Sequence, residues 1–364
     1  MVKPFFSVYL VTANGIKMKA LTFQGKKTIE YSSIEDPVLI DEGDVILKVL
    51  VSSICGSDLH LYHQYEPQDI GTAMGHEFIG EVMAKGKAVR HLKTGDIVIC
   101  PFTTSCGSCY YCSVGLTCRC VKSQLFGWRS NGHGLHGGQA EFIRVPLAES
   151  TLKKIPEGIS LQEGILLGDV MSTGFYCALQ ANIKPDEIYA VVGCGPVGLM
   201  AVLGAKEYGA EVVFAIDTVE DRLEIARSYG AIALNPLTQD ISSIVSDATS
   251  GKGAAAVMEA VGKSSSMNTA YDLVRPGGII SSVGVCNDKN FSISPTQAYD
   301  KNLTLKVGRC PARYMMDQLT PIVQKKKYKV DSIISHNFPM SSGALAYQIF
   351  DEKRDGSIKV LLKP

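Results

Sequence analysis

Short apolar runs separated by Gly and Pro turns fill the first half of the chain. Val45–Val51, Glu77–Ala84, Asp96–Cys100 and Ala140–Val145 each read as a strand. The pattern changes near Asp186. Ile188–Val192 is a continuous apolar run, as expected for a strand buried on both faces of a parallel sheet. A helical stretch, Pro196–Tyr208, follows, then the strand Glu211–Ile216, the helix Val219–Tyr229 and the run Ala231–Leu234. Ala254–Val261, a helix through Met267–Val274, and Gly278–Val285 continue the alternation. Repeated strand–helix–strand units predict right-handed crossovers and a doubly wound sheet. After Leu303–Val307 the alternation stops. Tyr314–Lys325 reads as a helix and Ser357–Leu362 as a last strand that returns to the first domain. The expected fold class is α/β, with a mostly-β domain and a doubly wound parallel sheet.

Composition narrows the function. The 364 residues suit two domains. Lys and Arg number 36, as do Asp and Glu, for a formal net charge of zero. A nucleic-acid surface needs a basic excess to release counterions, so none is expected. No stretch approaches the roughly 20 apolar residues of a membrane span. The apolar run within Met1–Gly15 is short for a signal peptide and carries one basic residue. It reads as an extra strand or a loose tail ahead of Met18–Phe23, and the cytosol is the expected compartment.

The strand Ile188–Val192 runs into Gly193-Cys-Gly195-Pro196-Val197-Gly198, which opens a helix. That context lifts a G-x-G-x-x-G run above chance. Gly193 suits a tight turn, Gly195 lets backbone approach a pyrophosphate, and Gly198 allows helix–strand contact. The second strand of the unit ends at Asp217, where an acid meets the adenosine ribose and repels a 2′-phosphate. This predicts NAD over NADP. Arg222 is placed to soften the preference by reaching a 2′-phosphate.

The cysteines are unevenly spread. There are 11, and five lie between Cys106 and Cys120. Cys106-x2-Cys109-x2-Cys112-x7-Cys120 can wrap one tetrahedral Zn²⁺ with no open position, which makes a structural site. Cys118 competes as the fourth ligand. A disulfide set in an oxidising compartment and a zinc module for nucleic acid are the weaker readings.

Three further segments carry chemistry: Cys55-Gly56-Ser57-Asp58-Leu59-His60, Gly75-His76-Glu77 and Gly168-Asp169-Val-Met-Ser-Thr173-Gly174. A Cys, a His and an Asp supply three ligands and leave a fourth position for water or substrate, the composition of a catalytic zinc site. Taken singly, Cys55 also reads as a core thiol, His76 as a satisfied core histidine and Asp169 as a helix N-cap.

Together, in this order, the C-x-S-D-x-H segment, G-H-E, the four-cysteine lobe, D-x-x-x-T-G and G-x-G-x-x-G resemble the zinc-containing alcohol dehydrogenases of the medium-chain dehydrogenase/reductase family. The likeness runs from about Met18 onward. It implies a GroES-like catalytic domain at 1–168 and 306–364, with a structural zinc lobe at about 100–122, and a Rossmann NAD-binding domain at 169–305. It implies two zinc ions per subunit and NAD as cofactors. Cys55, His76 and Asp169 would be the catalytic zinc ligands. Glu77 would approach the zinc during ligand exchange, and Asp58 would orient His76. Ser57 would take the substrate hydroxyl proton and pass it through the cofactor ribose to His60. Thr173 would lie against the nicotinamide, Phe102 in the substrate pocket and Lys359 at the cofactor phosphates.

The implied reaction interconverts an alcohol with an aldehyde or ketone. Polyol, diol and threonine dehydrogenases are alternatives within the superfamily, and a non-enzymatic zinc-binding member is the alternative outside catalysis. Gly56 stands where some relatives carry a basic residue. The segment from Phe126-Gly-Trp128 to Gly137-Gly-Gln-Ala-Glu-Phe142 resembles the branch related to formaldehyde dehydrogenases. His133 and His136 read as loop residues rather than ligands. A homodimer or homotetramer is implied, with Ser281–Val285 as the expected pairing edge. Cys194, inside the glycine loop, is expected to be open to oxidants or alkylating agents.

Overall fold

The computed structural model describes residues 17–64 and 66–364. The expected tail within Met1–Gly15 lies outside them. Two large sheets organise the chain. One is parallel and six-stranded, in the order Ile232–Leu234, Val212–Ile216, Ile188–Val192, Ala254–Glu259, Val274–Ser282, Thr304–Val307. Its first strand in sequence, Ile188–Val192, lies at the centre, between Val212–Ile216 and Ala254–Glu259. That is the topological switch point of a doubly wound sheet, where a crevice opens at the carboxyl ends of the strands. The central strands are buried because helices cover both faces, which is why they read as unbroken apolar runs.

The second sheet is seven-stranded and mostly antiparallel. Val45–Ile54 is its hub, paired with Phe78–Lys85, Phe142–Val145 and the last strand, Lys359–Lys363. Val360 stands opposite Ile54, so the end of the chain lies against the segment that leads into Cys55. Leu47, Phe78, Val82, Val98 and Ile143 pack into one buried cluster inside this sheet.

Three expectations change. Leu161–Leu167 and Val170–Gln180 are helices that periodicity did not predict. Val170, Met171, Phe175, Cys177 and Ala178 are all buried, so the second shows no polar face to set a period. The local signal was present as Ser160-x-x-Glu163: the Ser160 hydroxyl accepts from Glu163 N and the Glu163 carboxylate from Ser160 N. Ser281–Val285 is not the sheet edge. Strand Val274–Ser282 pairs with Thr304–Val307, which forms the edge instead. The expected domain crossing at 305/306 therefore falls inside an edge strand that runs on to Val307.

Candidate active site

Three segments converge between the sheets. Strand Val45–Ile54 delivers Cys55, His76 and Glu77 immediately precede strand Phe78–Lys85, and Asp169 precedes the helix Val170–Gln180. One ligand atom from each of Cys55, His76, Glu77 and Asp169 lies within 4.8 Å of the others, and all four residues are buried. Cys55 Sγ is 3.6 Å from Asp169 Oδ2, and His76 Nε2 is 3.2 Å from the same oxygen. Tetrahedral zinc with bonds of about 2.0–2.3 Å needs ligand separations of roughly 3.3–3.8 Å, so the donor set matches in type and spacing.

Each ligand is oriented by a neighbour. His76 Nδ1 lies 3.1 Å from Asp58 Oδ1, which leaves Nε2 facing the cluster. The other Asp58 oxygen accepts from Cys55 N at 2.9 Å. Asp169 makes no side-chain cap to the helix that follows it. Its Oδ1 instead accepts from Thr173 Oγ1 at 2.9 Å, which turns Oδ2 toward Cys55 and His76. Asp169 does occupy the helix N-cap position, but its carboxylate caps no backbone N–H there because it is committed to the cluster. Ser57 Oγ is 3.3 Å from Cys55 Sγ and 3.2 Å from His76 Nε2. Phe102 is buried, with its ring edge-on to His76 at 6.4 Å between centroids.

The electrostatics favour a cation. Burial works against a charge on His76, but Asp58, Cys55 and Asp169 outweigh it and raise its pKa well above the usual value. Burial, then the Asp169 and Glu77 charges, push the Cys55 thiol up to about 11. Without a metal, protons occupy the places a dication would take.

Lys359 is a correction. It is fully buried, and its ammonium donates to Glu77 Oε1 at 2.6 Å and to Ile54 O at 3.1 Å. It is therefore held behind the cluster by Glu77, with no exposed surface to offer a cofactor phosphate. Burial opposes its charge, but Glu77 and Cys55 raise its pKa nonetheless. Ser53, which the sequence did not single out, donates its hydroxyl to Glu77 Oε2 at 2.5 Å. No motif marks Ser53, because it acts across paired strands.

The four-cysteine lobe closes with Cys120. Cys106, Cys109, Cys112 and Cys120 offer sulfurs within 4.8 Å of one another, and Cys109 and Cys112 sulfurs are 3.6 Å apart. That is a tetrahedral edge and far longer than the roughly 2.05 Å of a disulfide. Cys118 is turned away and donates to Arg309 O.

The glycine loop is shaped for a ligand. Gly193 has φ +89°, and a Cβ on Gly198 would sit 1.7 Å from Gly193 O, so neither position admits a side chain. A Cβ on Gly195 would meet only Arg222 Nη1, at 3.8 Å, so it would occupy an otherwise open cradle. Asp217 Oδ2 accepts from Cys194 N at 2.7 Å, which ties the acid to the loop. Arg222 lies 3.7 Å from that oxygen, and its Nε is buried with no partner among the described residues. Pro196 and Val197 start the helix Pro196–Glu207. Cys194 is a second correction. It is buried, and burial with the Asp217 charge pushes its thiol up, so it is not a reactive thiol. Of the two loop histidines, His136 accepts from Ala73 N at 3.0 Å, and burial and Arg129 push its pKa down to about 4.

Two family descriptions match the chain: "alcohol dehydrogenase GroES-like domain" over residues 41–157 and "zinc-binding dehydrogenase" over residues 196–325. A zinc-type alcohol dehydrogenase B of Aspergillus flavus is 39% identical over 354 residues, covering 95% of this chain and 81% of that protein. The solved alcohol dehydrogenase TADH of Thermus sp. ATN1 is 35% identical, with a TM-score of 0.89 over 95% of this chain and 99% of its own. An alcohol dehydrogenase of Escherichia coli CFT073 solved with NADH is 27% identical, with a TM-score of 0.82 over 96% of this chain and 100% of its own. Likeness to the formaldehyde dehydrogenases is looser, with a relative 30% identical over 357 residues.

Proposed function

Because the chain belongs to the zinc-dependent alcohol dehydrogenases of the medium-chain dehydrogenase/reductase family, and so interconverts alcohols with aldehydes or ketones, we propose that Cys55, His76 and Asp169 hold its catalytic zinc. The observation that carries this is the meeting of their donor atoms, from three distant segments, within 4.8 Å. Cys106, Cys109, Cys112 and Cys120 hold a second, structural zinc. Gly193, Gly195, Pro196, Val197 and Gly198 seat the cofactor pyrophosphate, Asp217 takes the adenosine ribose, and Arg222 offers beside it an Nε with no partner among the described residues. Thr173 meets the nicotinamide. The catalytic domain comprises the first part of the chain and its C-terminal segment, with the cofactor domain between them. The working form is a homodimer or homotetramer in the cytoplasm. No helix among the described residues is long and apolar enough to cross a membrane.

When bound, zinc supplies Lewis acidity for the substrate oxygen, and the nicotinamide cofactor supplies the hydride acceptor. The chain's own residues do the rest. Asp58 and Thr173 fix the two ligands they touch. Phe102 walls the site against water. Alcohol oxidation removes a hydride from carbon and one proton from the hydroxyl, and Ser57 Oγ, beside Cys55 and His76, is placed to receive that proton. His60 is the next acceptor. Burial holds its pKa below the usual histidine value, so it is neutral near pH 7 and ready to take a proton.

The ligand protonation states predict how zinc uptake varies with pH. Ligation needs a neutral His76 and a Cys55 thiolate, and near pH 7 both carry a proton when metal-free. Uptake at this site therefore releases two protons. Apparent zinc affinity of the stripped enzyme should rise about a hundredfold per pH unit near pH 7. Competition with a chromogenic chelator between pH 6 and 8 measures this, and a flat profile would refute the ligand set.

Function is tested by initial rates on primary, secondary and polyhydric alcohols with NAD and NADP, for the native enzyme and Asp217→Ser. The native enzyme should turn over with NAD, and the variant should lose NAD preference by about tenfold or more. Turnover on polyhydric alcohols alone would favour the polyol reading. An unchanged NAD/NADP ratio would remove Asp217 from cofactor recognition.

A further inference from the structure

A side chain from the cofactor-binding half touches the proposed proton relay. Asn287 lies just beyond strand Val274–Ser282, and His60 lies on helix Asp58–Tyr62 of the other half. Asn287 Nδ2 is 3.1 Å from His60 Nδ1. The segment that carries Asn287 is anchored. Its neighbour Asp288 accepts from Ser264 N at 3.2 Å and from Ser264 Oγ at 2.5 Å, which ties it to the first turn of helix Ser264–Leu273. That helix start is held in turn by Glu259, which is fully buried at the end of the strand Ala254–Glu259. Glu259 accepts from Val261 N at 2.8 Å and from Gly262 N, Ser266 Oγ and Ser282 Oγ at 2.7 Å. Asn287 therefore extends from a framework of strand ends and a helix start, at the crevice where the cofactor belongs.

We propose that Asn287 is a positioning residue for His60, through which the cofactor-binding half docks onto the proton relay. The inference rests on the reading of His60 as a proton acceptor. A primary amide carries both a donor and an acceptor. With its NH2 toward the ring, it donates to the bare Nδ1 of a neutral imidazole whose hydrogen sits on Nε2. Turned by half a revolution, its oxygen accepts from Nδ1–H, which leaves Nε2 bare to take a proton, and that bond persists in the imidazolium. One side chain thus sets which ring nitrogen is open to the proton, and only while the two halves are together. Cleft closure and relay readiness become a single event.

Charged groups on both sides of the cleft act on His60. Glu66 and His63 come from its own side of the cleft and Lys263 from the other. Burial is the largest influence and lowers the pKa, His63 and Lys263 lower it further, and Glu66 raises it. A carboxylate in place of the amide can only accept, so it favours the imidazolium.

The test uses the zinc- and NAD-loaded enzyme with His60→Gln, Asn287→Ala, the double variant and Asn287→Asp, read as pH profiles of kcat/KM with any alcohol it oxidises. Asn287→Ala should lower kcat/KM about fivefold in the native background and less than about 1.5-fold with His60→Gln present, because residues that act through one contact are not additive. Asn287→Asp should move the acid limb upward by about one unit. NADH affinity, read by nucleotide fluorescence, should stay within about twofold in Asn287→Ala. Additive losses, an unmoved acid limb in Asn287→Asp, or a loss of NADH affinity equal to the loss of rate would each overturn the proposal. If His60→Gln itself leaves the profile unchanged, the relay reading falls and this inference falls with it. If His60→Gln flattens the acid limb but the two losses add, only the role of Asn287 falls.

Discussion

Cys55→Ala should lose one of two zinc ions per chain and at least about a thousandfold in kcat, while the fold stays intact. The rate loss follows from removing Lewis-acid stabilisation worth several kcal/mol, at about 1.4 kcal/mol per factor of ten. Metal loss follows from the donor set. Without its thiolate, the site has His76 Nε2 and Asp169 Oδ2, 3.2 Å apart, and Glu77 is committed to Lys359. The fold should survive because Cys55 follows a strand already paired on both sides, to Phe78–Lys85 and to Lys359–Lys363. Metal analysis, circular dichroism and initial rates on one preparation check all three parts. A variant that kept its rate would remove Cys55 from the metal. Loss of both zinc ions with the fold retained would show that the two sites are not independent.

Lys359→Met should produce the largest loss of stability, about 3–5 kcal/mol. Both Lys359 and Glu77 are fully buried, and breaking a buried pair from one side strands the other charge. Among the described residues, Ser53 would remain as the donor to the Glu77 carboxylate. The double variant Lys359→Met/Glu77→Gln removes both charges and should recover most of the loss, because a buried pair replaced as a unit is often near neutral. Urea midpoints for the two singles and the double measure this. If the double were as unstable as Lys359→Met, the cost would come from lost packing of the lysine stem rather than from a stranded carboxylate. The lysine variant also frees Glu77, whose oxygen lies within reach of the other three donors. Tighter zinc retention with slower turnover is therefore expected alongside the stability loss.

Much of this was legible along the chain. Ile188–Val192 reads from the sequence at the boundaries the structure has, and Pro196–Tyr208 and Glu211–Ile216 within one residue. These elements are buried by sheet and helix packing, so their apolar runs are long and unambiguous. The helix after Asp169 was missed for the opposite reason: it is buried on nearly every side and shows no period. The spacing of Cys106, Cys109, Cys112 and Cys120 is local, and local spacing survives folding. The fourth ligand was open between Cys118 and Cys120, and only the turn of the chain that aims Cys118 at Arg309 O separates them.

The errors fell where partners are distant. Lys359 was expected at the cofactor phosphates, yet it meets Glu77, 282 positions earlier in the chain. Nothing near Lys359 in sequence announces that its strand pairs with the one leading to Cys55. Cys194 sits in a loop that reads as exposed, but the loop folds onto Asp217 and buries the thiol. Asn287 carries no motif at all, and its contact with His60 spans 227 positions.

The sequence by itself determined most of the elements, the order of the motifs, and the family those motifs belong to, because periodicity, capping and ligand spacing are properties of short stretches. The tertiary structure alone decided which buried charges face each other: Lys359 against Glu77 rather than a phosphate, and one oxygen of Asp169 toward Cys55 and His76. The reason is physical. A charge removed from water must find a partner, and strand pairing across hundreds of residues dictates which partners are within reach.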